Sequence, residues 1–116
     1  HAGITLHFEI AEGVAELPLN MLVRKNLYLI YKEAVNNAVK YSGCSALNVS
    51  LRLKATRLVM EIADNGKGFD TNATSQGNGL RNMRRRAEEI AGELLMNSAK
   101  NAGSNITLKI NLTAHG

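Results

Sequence analysis

Four segments of this 116-residue chain alternate between apolar and polar residues, and that period of two restricts the fold more than any other feature. Ile4, Leu6, Phe8 and Ile10 interleave with Thr5, His7 and Glu9, and Leu47, Val49, Leu51 and Leu53 interleave with polar residues in the same way. Leu58, Met60 and Ile62 alternate with Arg57, Glu61 and Ala63. Near the end, Ile106, Leu108, Ile110 and Leu112 give the segment Asn105 to Thr113 one inward face, and Glu93 to Ser98 is its partner strand. A parallel sheet covered on both sides requires near-continuous apolar runs, which this chain lacks. The pattern therefore predicts an α+β fold in two layers, a mixed and largely antiparallel sheet with helices on one face. It argues against a doubly wound dinucleotide-binding domain, whatever the glycines suggest.

Two stretches carry the helical period instead. Asn20 is placed to cap a helix running to about Ser42, with Val23, Leu27, Ile30, Tyr31, Ala34, Val35 and Ala38 on the arc that faces the sheet. Lys25, Tyr28, Lys32, Asn36 and Val39 fall on the solvent arc, and Glu33, Asn37 and Lys40 line up on the edge between the two. A second helix opens at Gly79 and runs to about Ala91, presenting Leu80, Met83, Ala87 and Ile90 to the core. Gly43 and Gly92 stand where these helices should stop. Between Phe69 and Asn78 the chain holds no large apolar residue after Phe69, the composition of a loop.

Composition narrows the class. With 45% hydrophobic and 21% charged residues the chain reads as one globular domain over residues 1–116, large enough for its own core. No apolar run approaches the roughly 18 residues that suggest a membrane span, and no signal-peptide pattern opens the sequence. A first residue of His1 rather than Met reads as a piece excised from a longer protein. The single cysteine, Cys44, excludes an internal disulfide and is given no role. Much of the net charge of +4 comes from Arg81, Arg84, Arg85 and Arg86. With no Trp and few aromatics for base stacking, that cluster reads as a solvated helix face, not a nucleic-acid surface.

Three short patterns carry the chemistry. Asp64 shares parity with Leu58, Met60 and Ile62, so its carboxylate points inward at a strand end, where it needs a partner. Gly66 and Gly68 follow at spacing two and leave the backbone open to close approach, although Asn65-Gly66 alone also fits a hairpin turn. Upstream, Glu33-x-x-x-Asn37-Ala38-x-Lys40-Tyr41 lies on the first helix, and downstream Gly77-x-Gly79-Leu80 opens the second. Free backbone donors at a helix start favour phosphate, so the three together read as a nucleotide pocket with an acceptor at its floor.

In order and spacing these patterns resemble the ATP-binding domain shared by gyrase, Hsp90, histidine kinases and MutL, the Bergerat fold, and the resemblance covers essentially the whole chain. The run Gly79-Leu80-Arg81-Asn82-Met83-Arg84-Arg85-Arg86-Ala87 looks most like sensor histidine kinases of the NarX/DesK type. The resemblance implies that Asp64 reads the adenine amino group, helped by Ser104 where the family usually has Thr. An ionised carboxylate only accepts hydrogen bonds, so guanine, with an oxo group there, should be refused. It further implies that Gly66 and Gly68 let the backbone pass close to ATP and that Asn37 supplies an amide oxygen to Mg²⁺. Lys40, Tyr41 and the backbone from Gly77 to Leu80 would flank the phosphates, and the loop before Asn78 would close over them. Glu33 is the candidate catalytic carboxylate.

The acceptor histidine of such kinases is not matched by His1, His7 or His115. The expected activity is thus γ-phosphoryl transfer from ATP to a histidine on a dimerisation domain absent from this sequence. A cognate response regulator would come next, in a bacterial two-component system. The fragment itself is not expected to autophosphorylate. The implied setting is cytoplasmic, without nucleic-acid or direct membrane contact by this domain, in a parent protein either soluble or anchored in the inner membrane. The alternative reading is a serine protein kinase of the same fold, of the anti-sigma-factor type.

Overall fold

The computed structural model describes residues 3–67, 79–98 and 103–112, with Tyr41, Ser42 and Gly79 described by their backbone alone. The expected loop before Asn78, Gly68 and Gly77 within and beside it, and His1 and His115 lie outside the described residues. The elements in chain order are β1 (Thr5–Ile10), α1 (Met21–Asn37), β2 (Ala46–Lys54), β3 (Arg57–Asp64), α2 (Gly79–Glu89), β4 (Glu93–Ser98) and β5 (Ser104–Asn111).

The strands form one sheet in the order β1-β2-β3-β5-β4, with β1 parallel to β2 and every other pair antiparallel. Register aligns the apolar residues in rows, Val49 beside Ile62 beside Ile106 and Leu51 beside Met60 beside Leu108. A slip of one residue would turn every one of these side chains to the other face, so burial of this single face fixes the pairing. Against it the helices set Val23, Ile30, Ala34, Met83, Ala87 and Ile90, each at most 2% exposed. His7 lies on the opposite, polar face, as its parity requires.

The helix ends are explained locally. Asn20 has an extended backbone and its Oδ1 accepts the Val23 N–H at 2.9 Å, a cap whose loss costs about 1 kcal/mol. The helical path does reach Ser42, but from Ala38 it widens into a π turn, ended by Gly43 in the left-handed region at φ 65°. Helix α2 departs from expectation at its end. Ala91, not Gly92, takes the left-handed conformation, at φ 50°. The Gly92 N–H donates to the Ala87 carbonyl at 2.8 Å and the Ala91 N–H to Glu88 at 3.1 Å, the Schellman pairing. Glycine at 92 answers a packing need, because a Cβ there would stand 3.1 Å from Leu108 Cδ1.

Two further features were not anticipated. Asn26 is fully buried, and its Nδ2 donates to Leu22 O at 3.0 Å and to Glu89 Oε2 at 3.2 Å, which ties α1 to α2. The apolar face of β1 is not covered as the alternation implied, with Leu6, Phe8 and Ile10 each 49% exposed. A helix about 10 Å across covers about two strands spaced 4.8 Å apart. Two helices therefore cover four strands of five, and β1, at the edge, is left over.

Candidate nucleotide site

Register carries Asp64 to the end of β3 on the helix side of the sheet, between Leu47 of β2 and Ser104 of β5. Both carboxylate oxygens are engaged. The Gly66 N–H donates to Oδ1 at 2.8 Å, and the Ser104 hydroxyl donates to Oδ2. Ser104 is 9% exposed and Asp64 is half-buried, so the inward carboxylate has the partners that its position demands. The structure thus brings Ser104 and Asp64 together.

Asn65 and Gly103 fix this floor, and neither was singled out for the role. Asn65 Oδ1 accepts the Ser45 and Ala46 N–H groups, each at 2.9 Å, and its Nδ2 donates to Ser45 Oγ at 3.0 Å. Its side chain thus clamps the end of β3 to the start of β2. The hairpin alternative for Asn65-Gly66 fails, because both edges of β3 are taken by β2 and β5 up to Asp64, which leaves no place for a strand returning from that turn. Gly103 sits at φ 82°, and a Cβ on it would come within 2.3 Å of the Asp64 carbonyl oxygen. Only glycine permits that conformation and that approach together. The signal available in sequence was a glycine directly before the strand serine. An open cavity of about 450 Å³ wraps the sheet end here, lined by Asp64, Ser98, Gly103 and Ser104 and, from the row that faces away from the helices, by Ala63, Asn97 and Asn105.

The N-terminal pattern is brought to the same end of the molecule. Helix α1 finishes at Asn37, and the chain passes through the π turn and Gly43 into β2, whose first residues bond Asn65. Glu33 and Asn37 are half-buried, one helical turn apart. Among the described residues the buried Asn37 Nδ2 meets no hydrogen-bond partner, a donor that a phosphate oxygen would satisfy. Lys40 lies in the π turn and is exposed, and a single π turn in a helix often marks a functional position. The backbone of Tyr41 belongs to the same turn, while its side chain lies outside the description. Among the described residues no three His, Cys, Asp or Glu side chains gather as a metal site. A divalent ion here would thus take its ligands from a neutral amide and from the nucleotide's own oxygens, the arrangement Mg²⁺ tolerates.

At the second helix start, Leu80 is 8% exposed and belongs to the core, so only its backbone is available to a ligand. Gly79 is the first residue of α2, and Gly77 and Gly68 fall outside the described residues.

Together these elements define an α+β domain of five mixed strands and two helices. Residues 23–114 match the family described as histidine kinase-, DNA gyrase B- and HSP90-like ATPases, and the chain belongs to it. Among solved structures, the histidine kinase domain from the Erythrobacter litoralis EL346 blue-light activated histidine kinase is similar, with a TM-score of 0.84 at 15% identity. That match covers 99% of this chain and 54% of the other. The Acinetobacter baumannii histidine kinase AdeS matches at a TM-score of 0.76 and 19% identity, over 95% of this chain and 55% of that one. Full-length ShkA in complex with AMPPNP matches at a TM-score of 0.73 and 18% identity, over 94% of this chain and 26% of its own. The chain thus spans about half or less of these proteins, and the likeness is one of fold. Among the described residues no helix is long and apolar enough to cross a membrane.

Proposed function

We propose that this chain is the catalytic domain of a sensor histidine kinase, binding Mg-ATP and passing the γ-phosphoryl group to a histidine on a separate dimerisation domain. The observation that carries this reading is the Asp64 carboxylate, held on the helix side of the sheet by the Gly66 N–H and the Ser104 hydroxyl, at the rim of an open cavity that wraps the strand ends. An acceptor-only group so placed suits the 6-amino donor of adenine and leaves an unpaired charge against guanine. By resemblance Gly66 and Gly68 would leave the backbone open to the nucleotide, and the N–H groups from Gly77 through Gly79 to Leu80 would meet phosphate at the start of α2.

At the other side of the pocket, Asn37 would offer its amide to the metal and a phosphate oxygen, with Lys40 and Tyr41 beside the phosphates. Magnesium, when bound, supplies charge neutralisation on the phosphate oxygens. In the transfer, a histidine nitrogen bonds to the γ-phosphorus as the bond to the β-bridging oxygen breaks and ADP leaves. Glu33 accepts the proton from the other imidazole nitrogen, which keeps the attacking one nucleophilic. Positioning and charge neutralisation contribute most to such a reaction, so a half-buried carboxylate is sufficient.

The run from Gly79 to Ala87, with Asn82 and the arginines after it, supports the NarX/DesK-like subtype over an anti-sigma-type serine kinase. The partners on this reading are the protein's own dimerisation domain and then a response regulator, in the cytoplasm. The experiment is transfer from radiolabelled ATP to a histidine-kinase dimerisation domain supplied in trans. Acid-labile, base-stable phosphate on that domain, lost with Glu33→Ala or Asp64→Asn, is expected. Acid-stable phosphate on a serine of a partner would move the chain to the other kinase class.

A further inference from the structure

The face of β1 that the two helices leave bare runs on into a groove along α1. Phe8 closes onto Tyr31 edge to face, with ring centroids 5.8 Å apart, and Tyr28 stands 6.4 Å from Tyr31. Together with Leu51 of β2 these rings wall a cavity of about 310 Å³ in which Arg24 is the one charged residue. The apolar surface continues beyond it, since Tyr28 is 59% exposed and Met21 is 86% exposed. Met21, Arg24, Tyr28 and Tyr31 recur at helical spacing and form one stripe, about 15 Å long at 1.5 Å per residue. Strand β1 runs for about 17 Å at 3.3 Å per residue.

A surface that is long, narrow and continuous fits an element of secondary structure, whereas a small ligand would fill only the cavity. The geometry of the layer says which element. Two helices occupy the width of four strands, so about half a helix width of sheet remains over β1, and a helix laid there would rest on β1 and the side of α1 with its outer half beyond the sheet edge. Charge says more. Lys25 and Lys32, both exposed, flank the stripe on its solvent side, and Arg24 lies within it. Glu33, the one acidic residue in α1, projects from the opposite side of the helix.

We propose that the groove between β1 and α1 docks an amphipathic helix of a partner protein. Its apolar face packs on Phe8, Ile10 and Tyr28, and its carboxylates meet Arg24, Lys25 and Lys32. The helix completes the layer that α1 and α2 begin. This surface is built without any residue of the nucleotide pocket, so it stands or falls separately from the proposed kinase activity.

The test uses the whole chain, isotope-labelled for amide spectra, and two synthetic helical peptides of about three to four turns. Both carry Leu at the i, i+3, i+4 and i+7 positions, one with Glu and the other with Lys along the flanks. The Glu peptide should shift amides of residues 5–10 and 21–32 and leave residues 93–98 in place. The Lys peptide should bind at least about tenfold more weakly, and Arg24→Glu with Lys32→Glu should weaken the Glu peptide by a similar factor. Both substitutions fall on exposed side chains, and an unchanged melting temperature confirms the fold of the variant. Equal binding of the two peptides, shifts centred elsewhere or no binding at all overturns the proposal. So does concentration-dependent self-association that shifts the same amides without peptide, because the occupant is then a second copy of this chain.

Discussion

The floor of the nucleotide site, at the end of β3, and its rim, at the end of α1, differ in how much of their hydrogen bonding is already made. At the floor, both oxygens of Asp64 accept hydrogen bonds, Asn65 makes three, and Gly103 packs its backbone against the Asp64 carbonyl. At the rim, the Asn37 Nδ2 is buried without an acceptor among the described residues, the helix has loosened into a π turn, and Lys40 is exposed. The floor is part of the fold, and its groups do two tasks at once, holding strands together and presenting an acceptor. On the proposed reading the rim is completed by the nucleotide. Changes at the floor should therefore cost stability as well as affinity, whereas changes at the rim should cost affinity alone.

The largest loss without ligand should follow Gly103→Ala. A side chain is strained at φ 82°, and its Cβ collides with the Asp64 carbonyl, so about 3 kcal/mol of stability should disappear in a denaturant melt together with nucleotide binding. A variant as stable as the parent would show that the β5 start can shift, and that the floor is softer than described. Asp64→Asn comes next. It exchanges charge-assisted hydrogen bonds for neutral ones, with the amide oxygen on the Gly66 N–H and Nδ2 donating to the Ser104 hydroxyl, which costs about 1–2 kcal/mol in the apo melt. It should also remove the stabilisation by Mg-ATP, about 2.7 kcal/mol for the parent at 100 times its dissociation constant. Full retention of that stabilisation would take Asp64 out of adenine recognition.

Ser104→Ala should be milder still, about 1 kcal/mol, with ATP binding weakened several-fold because the carboxylate loses one of its two holders. Isothermal titration that gives the parent's affinity would assign the serine to the fold alone. Smallest in the apo melt is Asn37→Ala, which removes an unpartnered buried donor and should leave stability unchanged or slightly raised. Its effect should show instead as a loss of Mg²⁺ dependence in nucleotide binding. Should Asn37→Ala destabilise the apo protein as much as Asp64→Asn, the contrast between floor and rim would be gone.

Much of this was legible in the sequence because single-sided alternation and register are local properties. Parity alone placed Asp64 on the helix side of the sheet, and the capping role of Asn20 followed from its position before an apolar period. What escaped were contacts that join distant segments. Gly103 matters because β5 starts against the end of β3, and Asn65 because β2 begins beside it. The part Asn26 plays shows only once α2 brings Glu89 to it. The alternation in β1 predicted a buried face, but burial needs something to lie on top, and two helices are too narrow for five strands. The hydrophobic pattern told which way the side chains point, and the count of helices decided which of them are covered.

The central claim is that the carboxylate of Asp64 reads an exocyclic amine, and comparison of Mg-ATP with Mg-GTP tests it most directly. In parallel calorimetric titrations of the intact domain, Mg-ATP should bind at one site per chain, and Mg-GTP should bind at least about a hundredfold more weakly, as a mispaired buried acceptor requires. Equal affinity for the two nucleotides, or heat from neither, would contradict the account.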